Sequence, residues 1–114
     1  MITDERRAYK RVKLAFNLRY RSLSSGKVIS GNSLTNNLSP GGIYFEAFSR
    51  ITIGERLDCR IDLPGISKPL RFYSRVVRCE LFASTVTPSY GIAAEFLKSF
   101  GNSDSELRRI LADK

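Results

Sequence analysis

The sequence predicts an all-β fold, an antiparallel six-stranded β-barrel followed by one C-terminal helix. Three observations carry this. Apolar residues recur at every second position through several short segments, the period of a strand with one wet face. Clusters of Gly, Pro, Asn and Ser separate those segments. No segment alternates a strand with a long helix, which excludes a doubly wound nucleotide-binding fold.

The 114 residues suit one domain. A chain of this size buries roughly 60–70% of its unfolded surface, enough for a core without metal or disulfide staples. No run of about 18 apolar residues is present, so no membrane span is expected. Met1–Arg7 has no apolar stretch behind its charges and does not read as a signal peptide, so a cytoplasmic protein is expected. Histidine is absent, which removes the usual general base. With Cys59 and Cys79 the only cysteines, a zinc site would need an odd ligand set. Both thiols are expected to be small buried residues and not a disulfide. No catalytic set remains, so the reading is of a binding protein, not an enzyme.

Net charge is +8, and it is uneven. Residues 1–27 carry eight Lys or Arg against two acids, whereas residues 28–114 carry eleven against nine. The surplus sits in the N-terminal quarter, and such a cluster expects an anion.

Residues 1–13 show no usable period and read as a flexible arm bearing Arg6, Arg7 and Arg11; residues 14–114 read as the barrel with its helix. Leu14, Phe16, Leu18 and Tyr20 alternate with Ala15, Asn17, Arg19 and Arg21, which predicts a strand. Residues 28–37 form a weaker strand, in which Gly31-Asn32 suggests a bulge or break. The run Asn36–Gly42 reads as a turn, and Gly42–Glu46 as a short strand. Leu57, Cys59, Ile61 and Leu63 alternate with Asp58, Arg60 and Asp62 in the cleanest strand. A longer one covers about 70–82, with Val76-Val77 leaving its inward face open near the end. Tyr90, Ile92, Ala94 and Phe96 fall on one side of the last strand, and the whole segment Tyr90–Phe96 is assigned to the core. Ser103 to Glu106 fits an S-x-x-E capping box, and Leu107, Ile110 and Leu111 then share a helical face.

Taken in order, the chain has Arg7-x-x-x-Arg11, then a barrel with Asn37-x-Ser39-x-x-Gly42 at a strand entrance, then Tyr90-Gly91-Ile92-Ala93-Ala94-Glu95-Phe96. In this order and at these separations it resembles the PilZ domain family over about residues 5–112. The resemblance implies a split-barrel fold and a bacterial receptor for cyclic di-GMP. It implies a ligand site of Arg7, Arg11, Asn37, Ser39 and Gly42, with no metal. Arg6, just before the arginine pair, implies a self-intercalated dimer of the ligand. Asn37 stands where many members carry Asp, which keeps the acceptor and loses a charge. Output by family analogy runs through an unidentified protein partner in trans, with no nucleic acid bound.

The chemistry of the residues agrees. Arginine can fork onto guanine O6/N7 or phosphate and stack on a purine face. Asn37 and Ser39 can accept from the N1–H and N2–H₂ edge, and Gly42 lets a base approach the backbone. Asn37 and Ser39 could instead bond the turn's own backbone. Arg78 faces the same pocket in one of two registers. Two other functions fit the charge and fold: a PilZ-like adaptor that has lost the nucleotide, and a small barrel binding single-stranded nucleic acid through Tyr44 and Tyr73.

Overall fold

Alternating apolar and polar positions close six strands into one barrel. The computed structural model describes residues 16–23, 30–63, 65–82 and 88–112, so the arm expected at 1–13, with Arg6, Arg7 and Arg11, lies outside the described residues. The strands are β1 (Asn17–Ser22), β2 (Ser30–Ser39), β3 (Gly42–Ala47), β4 (Arg56–Asp62), β5 (Leu70–Phe82) and β6 (Ser89–Ser99), followed by helix α1 (Ser103–Ala112). All pairings are antiparallel. Their order around the barrel is β1-β2-β3-β6-β5-β4, and β4 pairs back onto β1. Each strand thus has a hydrogen-bonded neighbour on both sides along part of its length.

The inward positions are those the alternation picks out. Leu18 and Tyr20 of β1, Ile43 and Phe45 of β3, Leu57, Cys59 and Ile61 of β4, Phe72 and Val76 of β5, and Ile92 and Ala94 of β6 are buried together. Each large one contributes about 1.5–3 kcal/mol by leaving water. Tyr20 packs tilted on Phe45 at 5.0 Å, and Phe72 stacks on Phe96 at 4.1 Å. Cys59 is buried, with its Sγ 3.2 Å from Ser74 Oγ, and both cysteines are free.

Three details differ from the sequence reading. First, the ladder between β1 and β2 runs unbroken through Gly31 and Asn32, because β1 supplies a partner for each; the irregularity falls at Asn36, between Thr35 and Asn37 on the β3 side. Second, β2 continues through Ser39, so the turn shrinks to Pro40-Gly41 and the Asn37–Ser39 segment is strand. Third, Ser103 does not close a capping box. It is buried, and its hydroxyl accepts the Arg71 backbone N–H at 2.9 Å. Glu106 instead pairs with Arg109 at 2.8 Å, and its backbone N–H is already satisfied by the Asn102 carbonyl. Leu107 and Leu111 are buried, and the helix packs on β5 and β2.

Candidate functional site

Two rows of residues cross the outer wall made by β2, β3, β6 and β5. In the first, Asn37 pairs with Tyr44, Tyr44 with Ala93, and Ala93 with Arg78. In the second, Ser39 pairs with Gly42, Gly42 with Glu95, and Glu95 with Arg75. Strand spacing makes each row about 14 Å long. Small residues, Gly42 and Ala93, occupy the middle, while amide and hydroxyl groups stand on one side and arginines on the other. The result is a cleft of about 190 Å³ lined by Asn37, Ser39, Gly42, Tyr44, Arg78 and Glu95, among others.

Local structure explains each position. The two-residue turn brings Ser39 opposite Gly42. The Ser39 hydroxyl accepts the Gly41 N–H at 3.2 Å and reaches the Gly42 carbonyl at 3.5 Å, so it braces the turn as well as facing the cleft. Gly42 has a further reason to lack a side chain: a Cβ there would come within 2.3 Å of the Ala94 carbonyl oxygen. The glycine lets β3 press against β6 and keeps the cleft floor low. Tyr44 leans the other way, over Gly91, where a Cβ would meet its hydroxyl at 2.0 Å.

On β5, Val76 pairs with Ala94 and Arg78 with Ala93, so Val77 is an extra residue. This bulge turns Arg78 onto the outer wall, where its guanidinium lies 5.8 Å from the Tyr44 ring centroid and 3.4 Å from Glu80. Arg78 thus faces the pocket, one of the two outcomes the sequence left open. Burial raises the Tyr44 phenol above its ordinary value, Glu80 adds to this, and Arg78 opposes it. Arg75 pairs with Glu95. The arginine side therefore offers donors that are partly engaged and solvent-accessible.

Asn37, Ser39 and Gly42 line one cleft; Arg6, Arg7 and Arg11 lie outside the described residues. The sequence reading missed Ala93 and Glu95, having given the whole last strand to the core. Their outward parity was the available signal, since Ile92 and Ala94 point in. Among the described residues, no group of three or more His, Cys, Asp or Glu could hold a metal ion, and no helix is long and apolar enough to cross a membrane.

The family model of the PilZ domain matches residues 5–113. The chain belongs to the PilZ domain family. Solved structures show the same PilZ fold at low identity. The PilZ domain of YcgR from Escherichia coli, solved with c-di-GMP, superposes with a TM-score of 0.71 at 15% identity, covering 95% of this chain and 90% of that one. Bacillus subtilis MotI, an inhibitor of motility, gives 0.69 at 20% identity over 95% of this chain. MrkH of K. pneumonia in complex with c-di-GMP gives 0.63 at 14% identity over 94% of this chain. This PilZ chain spans about half the length of the latter two, 53% and 51%. No curated protein matches it.

Proposed function

We propose that this PilZ domain is a cytoplasmic receptor for cyclic di-GMP and not an enzyme. The observation that carries the reading is the pair of cross-strand rows, which set Asn37 and Ser39 opposite Arg78 over a floor of Gly42 and Ala93. Asn37 and Ser39 accept from the guanine N1–H and N2–H₂ edge or bond phosphate. Arg78 supplies a fork for phosphate or guanine O6/N7 from the far wall. Arg7 and Arg11 close over the ligand from the N-terminal side, and Arg6 engages the second molecule of an intercalated pair. Closure changes the surface shown to a protein partner, driven by the ligand's higher affinity for the closed state. YcgR and MrkH, both solved with this nucleotide, support the ligand assignment.

Calorimetry with cyclic di-GMP on the wild type, Arg7→Ala and Ser39→Ala tests this. The expected result is binding by the wild type at two ligands per chain and large losses in both variants. A silent wild type overturns the receptor reading. Equal binding by all three proteins overturns the site, and saturation at one ligand per chain overturns the dimer.

A further inference from the structure

The barrel wall of β1, β4 and β5 carries a second cluster, in which Arg60 and Arg71 join Arg19 and Arg21 of the N-terminal quarter through strand pairing. Arg19 pairs with Arg60, and Arg60 with Arg71, so three arginines stand in one row across β1, β4 and β5. Like charges placed directly opposite destabilise a sheet. Arg21 adds a fourth, one step along β1. Two acids share this face. Asp62 takes Arg19 at 3.3 Å. Asp58 lies at the centre with its side chain only 2% exposed, although it points to the solvent side of the sheet. Arg71 forks onto its carboxylate with two bonds of 3.1 Å, and Arg21 and Arg60 approach it at 3.5 and 3.8 Å. Within this cluster, four arginines against two aspartates leave two positive charges in excess. A cleft of about 220 Å³ opens between Arg19, Arg21, Asp58 and Arg60.

We propose that this face docks an acidic segment of a protein partner, with Asp58 as the positioning residue that holds the arginines in place. The site already recognises one carboxylate by fork geometry, and its remaining guanidinium donors lie at the surface: the side chains of Arg19, Arg21 and Arg60 are 45–61% exposed. Further carboxylates complete those forks. Nucleic acid fits less well, because single-stranded binding needs free aromatic faces. The nearby Phe100 ring carries Arg71 at 4.4 Å and Lys98 at 5.0 Å, and Tyr73 meets it edge-on at 4.7 Å. The proposal is independent of the nucleotide reading, since β4 lies across the barrel from β3.

Fluorescence anisotropy with a labelled deca-glutamate peptide, and with a single-stranded oligo-dT of equal length, tests it on the full chain. Arg19→Gln/Arg60→Gln should weaken peptide binding about tenfold with an unchanged melting temperature, whereas Arg7→Gln/Arg11→Gln should change it less than about threefold. Asp58→Asn raises the net charge, so simple attraction predicts tighter binding; a positioning role predicts weaker binding. No peptide binding by the wild type, the larger loss in the Arg7/Arg11 variant, or tighter binding of oligo-dT through the same arginines overturns the docking proposal. Tighter peptide binding by a folded Asp58→Asn overturns the role of Asp58.

Discussion

Arg78 and Tyr44 meet across β6, the guanidinium 5.8 Å from the ring centroid, because Val77 is squeezed out of the ladder between them and the core. Val76 is fully buried while Val77 is 45% exposed, so two adjacent valines of equal propensity have opposite fates. If the cleft takes an anionic nucleotide, Arg78→Ala should weaken cyclic di-GMP binding about ten- to hundredfold, the range of a lost hydrogen bond to a charged group. Its melting temperature should hold, since the pair with Glu80 is solvent-exposed and contributes little. Calorimetry beside a thermal melt checks both. Unchanged affinity would show that Arg78 faces the cleft without touching the ligand.

Two glycines on the same wall should respond differently to alanine. At Gly42 the new Cβ meets backbone, the Ala94 carbonyl oxygen at 2.3 Å, and neither strand can yield without breaking the ladder between β3 and β6. At Gly91 it meets the ends of side chains, Tyr44 Oη at 2.0 Å and Phe82 Cζ at 2.8 Å, which can rotate away. Gly42→Ala should therefore cost about 1–3 kcal/mol or more, and Gly91→Ala clearly less. Urea unfolding of the two variants gives the order. A Gly42→Ala protein as stable as the wild type would mean that the strands separate easily there.

Much of the fold was legible because one rule sufficed. Wherever the inner face is apolar and the outer face polar, as at Leu57–Leu63, parity alone gives strand and facing. The rule fails where the ladder gains a residue, at Asn36, Val77 and Leu97, since a bulge is a pairing event between strands distant in the chain. The site was half legible for the same reason. Asn37, Ser39 and Gly42 are close in sequence, and their spacing survives folding. Arg78, Ala93 and Glu95 join them only through register. The extent of β2 was misjudged because Asn, Ser and Pro favour turns locally, yet pairing with β3 holds Asn37 and Ser39 extended.

The helix start makes a contrast that stability can read. A capping box assigns the work to Ser103 and Glu106 together, whereas the structure assigns it to Ser103 and β5. Replacing Ser103 with Ala leaves the Arg71 N–H, now 2.9 Å from the hydroxyl, without its acceptor beneath the helix. The cost should be about 1–3 kcal/mol. Glu106→Ala removes an exposed pair with Arg109 and should change stability little. Chemical denaturation of both variants distinguishes the assignments, and equal losses would restore the capping box.

The two thiols should separate by reactivity and by pH. Burial pushes the Cys59 thiol up to about 12, opposed by the Ser74 hydrogen bond and reinforced by Asp58. Cys79 is half-buried and free. A thiol reagent near pH 8 should therefore label one cysteine in the native protein and both in denaturant. The raised value also makes stability depend on pH in the alkaline range. Below the ordinary thiol value of 9.0 both states hold the proton, and Cys59 adds no pH dependence. Between there and about 12 only the unfolded thiol ionises, so the folded state binds more protons and stability falls as pH rises, by about 1.4 kcal/mol per unit. Tyr20, raised by burial and then by Cys59, steepens the fall above its own ordinary value. Cys59→Ala should flatten the slope of urea-unfolding stability between about pH 9 and 11 while lowering its overall level through the lost packing. An equally steep decline in the variant would assign the alkaline loss of stability to other groups.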